Sequence, residues 1–265
     1  MRTAKPGARS SRRSWKGTLA ASCRPAQRNA LSSELIATLR GALVRADADA
    51  QARVICVTGS GEQAFCSGMD LASSAAAAAA GGIEAYEARR AYAGLLAELS
   101  RLGKPVVAVV NGAVIGGGMG LLASCDLAVA VDDAQFGTPE VDVGLFPYMA
   151  LAPLSRCIGR RAALELALTG RRIDAAEALS LGLVNRVVPR PRLSDAVGEL
   201  LDLLVRKSPA ALRLGRRAFY ATQDLPYEQQ LEALAAQLSL NALLEDAAEG
   251  VSAFLAKRAP EWKGR

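Results

Sequence analysis

The sequence predicts an α/β fold, with a core of alternating strands and helices followed by a helical C-terminal region. Three observations predict it. Short apolar runs of strand length occur at Arg53–Thr58, Val106–Val110 and Asp126–Val131. Longer stretches with helical spacing separate them, and beyond residue 193 only helical patterns occur. The 265 residues suffice for one large domain with a sizeable core. With 51% apolar and 22% charged residues the composition is that of a globular chain, and no apolar run approaches the ~20 residues of a membrane helix.

The first residues read differently from the rest. Arg2, Lys5, Arg9, Arg12, Arg13 and Lys16 crowd the start, and no acid precedes Glu34. Residues 1–17 therefore read as a disordered basic tail. A transit peptide shares this composition, but the segment lacks a clear apolar face. Much of the net charge of +6 sits in this tail; the remainder is nearly balanced, which argues against a nucleic-acid surface on the domain.

From Leu31 to Val44, leucines at 31, 35, 39 and 43 mark an amphipathic helix. Arg53–Thr58 is a buried strand closed by Gly59-Ser60-Gly61. Residues 63–70 read as a loop of small side chains. Residues 72–82, with Ala75–Ala80 in a row, fit a helix or a mobile segment. Ile83–Leu102 is helical and stops at Gly103 and Pro105. A strand at Val106–Val110 turns at Asn111-Gly112, a small-residue helix covers Met119–Cys125, a strand follows at Asp126–Val131, and Gln135-Phe136 begin a short strand. Leu151–Leu168 reads as one helix ended by Gly170. Asp174 with Glu177 forms a capping-box pattern, Val184–Val188 is β-like, and helices follow near 193–207, 209–222, 227–247 and 249–257. The 227–247 stretch is apolar around most of its circumference, which predicts an oligomer.

Composition also restricts the chemistry. The chain has no histidine, which excludes a histidine triad, a histidine metal site and histidine acid–base catalysis. Five scattered cysteines (Cys23, Cys56, Cys66, Cys125 and Cys157) show no close ligand spacing and read as reduced thiols in a cytosol-like compartment. Two segments share a strand, a loop of small residues and a helix: Val54–Thr58 leading into Ala64–Asp70, and Val106–Val110 leading into Gly116-Gly117-Gly118-Met119-Gly120. Glycines opening a helix expose unpaired N–H groups to a ligand, although Gly-Gly-Gly also serves simply for close packing. Glu140, after Pro139 and among Phe136, Val141, Val143, Leu145 and Phe146, would have a raised pKa if buried. A helix-start role is the ordinary alternative.

Taken in order, Arg24–Leu31, Ala64–Leu71, Lys104–Gly112, Gly116–Asp126, Ala134–Glu140, Leu168–Gly170 and Ala176–Val188 resemble the crotonase (enoyl-CoA hydratase/isomerase) family from about residue 24 to the C-terminus. The resemblance implies a spiral of ββα repeats over residues 18–192, with a C-terminal helical trimerisation region over 193–265. It implies a homotrimer or a dimer of trimers and a CoA thioester substrate. Coenzyme A is then part of the substrate, and no cofactor, metal, nucleic acid or membrane partner is expected. By position, Met69 and Gly117 supply two oxyanion-hole amides and Glu140 is the acid–base carboxyl. Arg28, Ala30, Cys66, Gly68, Asp70 and Leu71 line the CoA groove, with Gly116, Pro139 and Tyr148 near the acyl group. Phe254 and Lys257 resemble a stretch that reaches a neighbouring subunit's CoA.

The chain departs from the family in three places. A second glutamate that hydratases of the family place around water falls at position 120, which is Gly. Position 148, acidic or small in many relatives, is Tyr, either a core or pocket-wall aromatic or a donor into the pocket. Residues 1–23 look too polar and irregular for the usual opening hairpin. The implied activity is hydration of 2-enoyl-CoA, with isomerisation of 3-enoyl-CoA to 2-enoyl-CoA as the alternative, which Gly120 suits mechanistically. A non-catalytic acyl-CoA- or RNA-binding role is a third. The apolar 141–151 stretch suggests a fatty or branched acyl group, and the expected location is cytoplasmic.

Overall fold

The computed structural model describes residues 18–22 and 28–265; the basic tail expected at 1–17 lies outside them. In chain order the elements are β1 (Thr18–Ser22), α1 (Ser33–Ala48), β2 (Val54–Thr58), β3 (Ala64–Cys66), α2 (Leu71–Ala80), α3 (Gly82–Arg101), β4 (Val106–Val110), β5 (Ala113–Ile115) and α4 (Gly117–Ala123). There follow β6 (Leu127–Val131), β7 (Gln135–Gly137), a 3-10 turn at Pro139–Val143, α5 (Tyr148–Ile158), α6 (Arg160–Thr169), β8 (Arg172–Asp174), α7 (Ala175–Ser180) and β9 (Arg186–Val188). The C-terminal part is α8 (Leu193–Val205), α9 (Pro209–Thr222), α10 (Tyr227–Ala242) and α11 (Glu245–Leu255).

The strands sort into two sheets. One is all-parallel, in the order β1-β2-β4-β6-β9; the other runs β3-β5-β7-β8. The pairs β2–β3, β4–β5 and β6–β7 each give one strand to each sheet before a helix, which is the ββα spiral that the resemblance implies. Alternating side chains of the parallel sheet feed two cores, as the period of two in a strand requires. Ile55, Val57, Ala108, Val110 and Ala130 face the main core with α1, α3 and α4, whereas Val54, Cys56, Val107, Val109 and Val129 pack against Val197, Leu200 and Leu201 of α8.

Several expectations need correction. Residues 18–22 do form a strand, parallel to β2 and in register from Thr18 opposite Val54 to Ser22 opposite Thr58. Main-chain pairing to a buried strand supplies the order that side-chain pattern does not suggest. The loop at 63–70 contains β3. The alanine-rich segment is helical: Ala favours helix, Asp70 caps it by accepting from Ala72 N–H at 3.0 Å, and it packs along α3. The single helix expected at 151–168 is two, broken at Gly159 with φ of 80°. The 227–247 helix ends at Ala242 and the last begins at Glu245.

α9 is fastened to the core by a half-hidden charge cluster. Arg216 reaches Asp126 at 2.7 Å and donates to the carbonyls of Leu99 and Leu102 at the end of α3. Tyr220 donates to the other Asp126 oxygen at 2.7 Å, and Asp126 also accepts from Val106 N–H at 2.6 Å. Outward, α10 and α11 expose Tyr227, Leu238, Phe254 and Leu255, and Leu243 between them is exposed too. Among the described residues, no helix is long and apolar enough to cross a membrane.

Candidate active site

Three segments meet where the second strands of the repeats give way to helices. The first is residues 64–70. Cys66 ends β3 and is buried. Gly68 adopts φ of 94°, and a Cβ there would lie 2.9 Å from the Ile115 carbonyl and 3.4 Å from the Gly117 nitrogen. Only a glycine lets these two backbones approach so closely in a left-handed conformation. Met69 follows, half-buried, in a parallel bridge with Leu31. The segment is clamped by main-chain bonds from Leu31 N–H to Gly68 O at 2.8 Å, Asp70 N–H to Leu31 O at 3.2 Å and Ser67 N–H to Arg28 O at 3.1 Å.

The second is the glycine turn. Gly116 donates its N–H to Gly137 O at 2.8 Å, and Gly117 opens α4, so its own N–H has no carbonyl one turn back. Gly118 lies on β3: a Cβ there would come within 2.6 Å of the Cys66 carbonyl. That contact seats the first turn of α4 beside Gly68-Met69.

The third is the 3-10 turn. Pro139 starts it, and Leu145 N–H closes it on the Glu140 carbonyl at 3.0 Å. The Glu140 carboxyl lies over the glycine turn, with Oε1 3.0 Å from where a Cβ on Gly116 would be. Oε2 is shielded from solvent and has no hydrogen-bond partner. Burial pushes the Glu140 carboxyl above the ordinary glutamate range. An unpaired buried carboxyl oxygen is rare and points to a missing partner, such as a proton or a reacting ligand.

The structure thus gathers Cys66, Gly68, Met69, Gly116, Gly117, Pro139 and Glu140, with Arg28 and Ala30 alongside. Asp70 is engaged as the cap of α2, receiving the Ser73 hydroxyl at 2.8 Å, and Leu71 is exposed. Tyr148 is not a core aromatic: it stands 77% exposed at the first turn of α5, edge-on to Phe146 at 5.2 Å. Phe254 and Lys257 lie on and just beyond α11, exposed, and α11 packs on α9 and α10. Among the described residues, no group of three or more His, Cys, Asp or Glu side chains could hold a metal ion.

Three contributors escape sequence reasoning. Asn29, buried in the left-handed region at φ of 60°, donates to Ala64 O at 2.7 Å and so ties the Arg28–Leu31 strip to β3. Asn111, read above as a turn residue, donates to Gly61 O at 2.7 Å and accepts from Gly59 N–H at 3.1 Å. Tyr92 of α3 is 1% exposed, and its hydroxyl donates to the Gly117 carbonyl at 2.5 Å. Its burial is visible in the spacing of Tyr92, Leu95, Leu96 and Leu99, but its contact with the glycine turn has no local signal.

Comparison with known proteins agrees with this architecture. Residues 22–265 match the family described as enoyl-CoA hydratase/isomerase. The chain is 34% identical over 244 residues to a carnitinyl-CoA dehydratase of Proteus mirabilis, covering 89% of this chain and 91% of that protein. It superposes on the crystal structure of an enoyl-CoA hydratase from Mycobacterium smegmatis with a TM-score of 0.87 and 37% identity, covering 93% and 95% of the two chains. With human enoyl Coenzyme A hydratase domain-containing protein 3 the TM-score is 0.89 at 31% identity, covering 94% and 98%. With its two-sheet spiral, its glycine turn and this likeness along nearly its whole length, the chain belongs to the enoyl-CoA hydratase/isomerase (crotonase) family of enzymes.

Proposed function

We propose that this enzyme adds water across the α,β double bond of 2-enoyl-CoA thioesters and, in reverse, eliminates it from the 3-hydroxyacyl product, with Glu140 as its acid–base group. The observation that carries this reading is the Glu140 carboxyl over the glycine turn, whose Oε2 is shielded from solvent and has no hydrogen-bond partner. In the hydration direction the ionised carboxyl takes a proton from water as the oxygen bonds to the β-carbon. The electron pair of the double bond moves onto the thioester oxygen as an enolate. The amides of Met69 and Gly117 donate to that oxygen, and the loss of one such donor typically costs ~2.7–4 kcal/mol of transition-state stabilisation. Protonated Glu140 then returns its proton to the α-carbon. One carboxyl suffices because it is first base and then acid, and a raised pKa suits both roles. The 64–71 strip with Arg28 and Ala30 would hold the CoA portion.

One observation favours a second reading, the 3-enoyl-CoA to 2-enoyl-CoA isomerase. A Cβ on Gly120 would lie 2.4 Å from the Tyr92 hydroxyl and 2.8 Å from Ala150 Cα, so the place of a second water-binding carboxylate is filled. Supplying the purified enzyme with each substrate separately decides between them. The hydratase reading expects turnover of 2-enoyl-CoA to the 3-hydroxy product; background hydration beside brisk isomerisation overturns it in favour of the second. Glu140→Gln should lower either activity by about 10²–10⁴-fold, and a fully active variant removes Glu140 from the chemistry.

We also propose that α10 and α11 build a trimer, which would bring Phe254 and Lys257 to a neighbour's CoA. The exposed apolar residues on these helices support it. Light scattering should give a mass of three chains or a multiple of three, and a monomer would remove this part of the reading.

A further inference from the structure

We propose that Tyr92 is a positioning residue for the Gly117 amide: it fills the volume that a side chain at position 120 would need and fixes the first turn of α4 through the Gly117 carbonyl. The inference rests on the proposed reading of Gly117 as a donor to the thioester oxygen, and it adds to that reading a group from a different element of the fold.

Tyr92 projects from α3 on the same buried stripe as Leu95, Leu96 and Leu99. Its ring and hydroxyl lie against two glycines one turn apart on α4. A Cβ on Gly117 would sit 3.5 Å from both Cζ and Oη, and a Cβ on Gly120 would sit 2.4 Å from Oη. Residues three apart on a helix share a face, so the phenol spans the gap that Gly117 and Gly120 together leave. Any larger residue at 120 meets the phenol on one side and the Ala150 main chain, at 2.8 Å, on the other.

The hydroxyl also has a task. Gly116, Gly117 and Gly118 in succession give the turn more backbone freedom than any other three residues would. Gly116 is held by its bond to Gly137 O, and Met119 by its bond to Gly116 O. Between them, the Gly117 carbonyl is held by Tyr92 at 2.5 Å. The Gly117 N–H shares its peptide plane with the Gly116 carbonyl, which Met119 N–H holds, and Tyr92 holds the plane on the other side of the Gly117 Cα; with both planes held, the Cα on which the N–H direction depends is fixed. Burial, and then the nearby Cys66 and Glu140, push the phenol's pKa upward, so it stays protonated and remains a donor. Being buried, it acts through Gly117 and not on the substrate.

Tyr92→Phe removes one oxygen and keeps the ring. The probe is bound cinnamoyl-CoA, whose thioester carbonyl stretch falls in frequency when the oxygen accepts well-aimed hydrogen bonds. In the unaltered enzyme the band should shift on binding, and Glu140→Gln should keep that shift while losing turnover. In Tyr92→Phe the shift should shrink. With 2-enoyl-CoA, or with 3-enoyl-CoA if that is the substrate turned over, kcat should fall roughly 10- to 100-fold, as for a donor moved by a fraction of an ångström to one ångström, and KM should change little. A purely structural role would lower the unfolding midpoint and leave band and kcat in place; that result overturns the inference. If Tyr92→Phe does not fold, a fluorinated tyrosine at position 92, a stronger donor of the same shape, should enlarge the shift, and an unchanged band overturns the proposal. Absence of any shift in the unaltered enzyme defeats the donor reading of Gly117 itself and the inference with it.

Discussion

Two helices, α2 and α4, hold equivalent places in successive strand–loop–helix units, yet the protein treats them in opposite ways. Every residue of α4 from Gly117 to Leu122 is buried, whereas α2 buries none. Hydrophobic composition does not explain this, because α2 is alanine-rich and α4 is nearly half glycine. Space does. Gly118 rests on the Cys66 carbonyl and Gly120 on Tyr92 and Ala150, so missing side chains draw α4 into the core. α2 has only methyl groups to offer, and it is held by its cap and by α3. The proposed donors follow Gly68 and open α4, so one wall of the site is rigid and the other is built on a lightly held helix.

The sharpest way to break this contrast is to add one carbon to α4. Gly118→Ala would place a methyl 2.6 Å from the Cys66 carbonyl, a backbone atom that cannot swing away. It should cost about 1–3 kcal/mol as an overpacked core, read as a lowered urea midpoint. It should also reduce turnover, because the turn that carries Gly117 must move.

A second contrast concerns two carboxyls. Glu140, over the α4 turn, is pushed up by burial. Asp70, at the start of α2, is held below the ordinary aspartate range by its bond from Ser73, with further lowering from the amides of Ala72 and Ser73. Their pH dependences should therefore separate. Activity that needs ionised Glu140 as base should rise with pH through a value above the ordinary glutamate range, seen as the acid limb of kcat/KM. The stability of the free enzyme carries the opposite sign: protonated Glu140 is favoured in the folded state, so its contribution is present below the unfolded pKa and is lost as pH rises through the folded one. The Asp70 cap contributes above the unfolded aspartate pKa and fades as pH falls through its lower folded value. An acid limb of kcat/KM at or below the ordinary glutamate range would contradict the burial seen here.

The same contrast shows what the sequence conveys and what it does not. Strand runs such as Val54–Thr58 and Val106–Val110, the Asp174–Glu177 cap and the order of the loops are local properties, and they are legible. So are Glu140 and the glycine turn, because each lies in a short segment. What depends on contact across the chain is not. Tyr92 and Gly120 are 28 positions apart, and nothing near either residue announces the other. Asn111 reads as a turn residue until Gly61 is placed beside it, and the bond from Asn29 to Ala64 has no signal in the Arg24–Leu31 segment. The strand at Thr18–Ser22 is set by its partner β2 rather than by its own pattern. The break at Gly159 is invisible to apolar spacing, which continues through it.

On the exposed helix the effects should shrink. Asp70→Ala removes the side chain that accepts from Ala72 and Ser73. It should cost ~1 kcal/mol of local helix stability, detected as faster hydrogen exchange over residues 71–80 with the urea midpoint little changed. A midpoint drop as large as that of Gly118→Ala would mean that α2 is part of the cooperative core.

The smallest expected effect is Ala76→Lys. Ala76 is exposed on a helix with no buried residue. Lysine is nearly as good a helix former as alanine, so the change should stay within about 0.5 kcal/mol in the urea midpoint. Its value lies in separating two reasons for the exposure of α2. If the helix is bare in the working enzyme, the lysine is neutral for turnover and for assembly. If a second copy covers α2 when the chain assembles, the buried ammonium has no partner and the mass by light scattering falls with the midpoint unchanged in the dissociated chain. Neutrality in both measurements means that this face of α2 stays in solvent in the assembled enzyme, and loss of assembly makes it an interface.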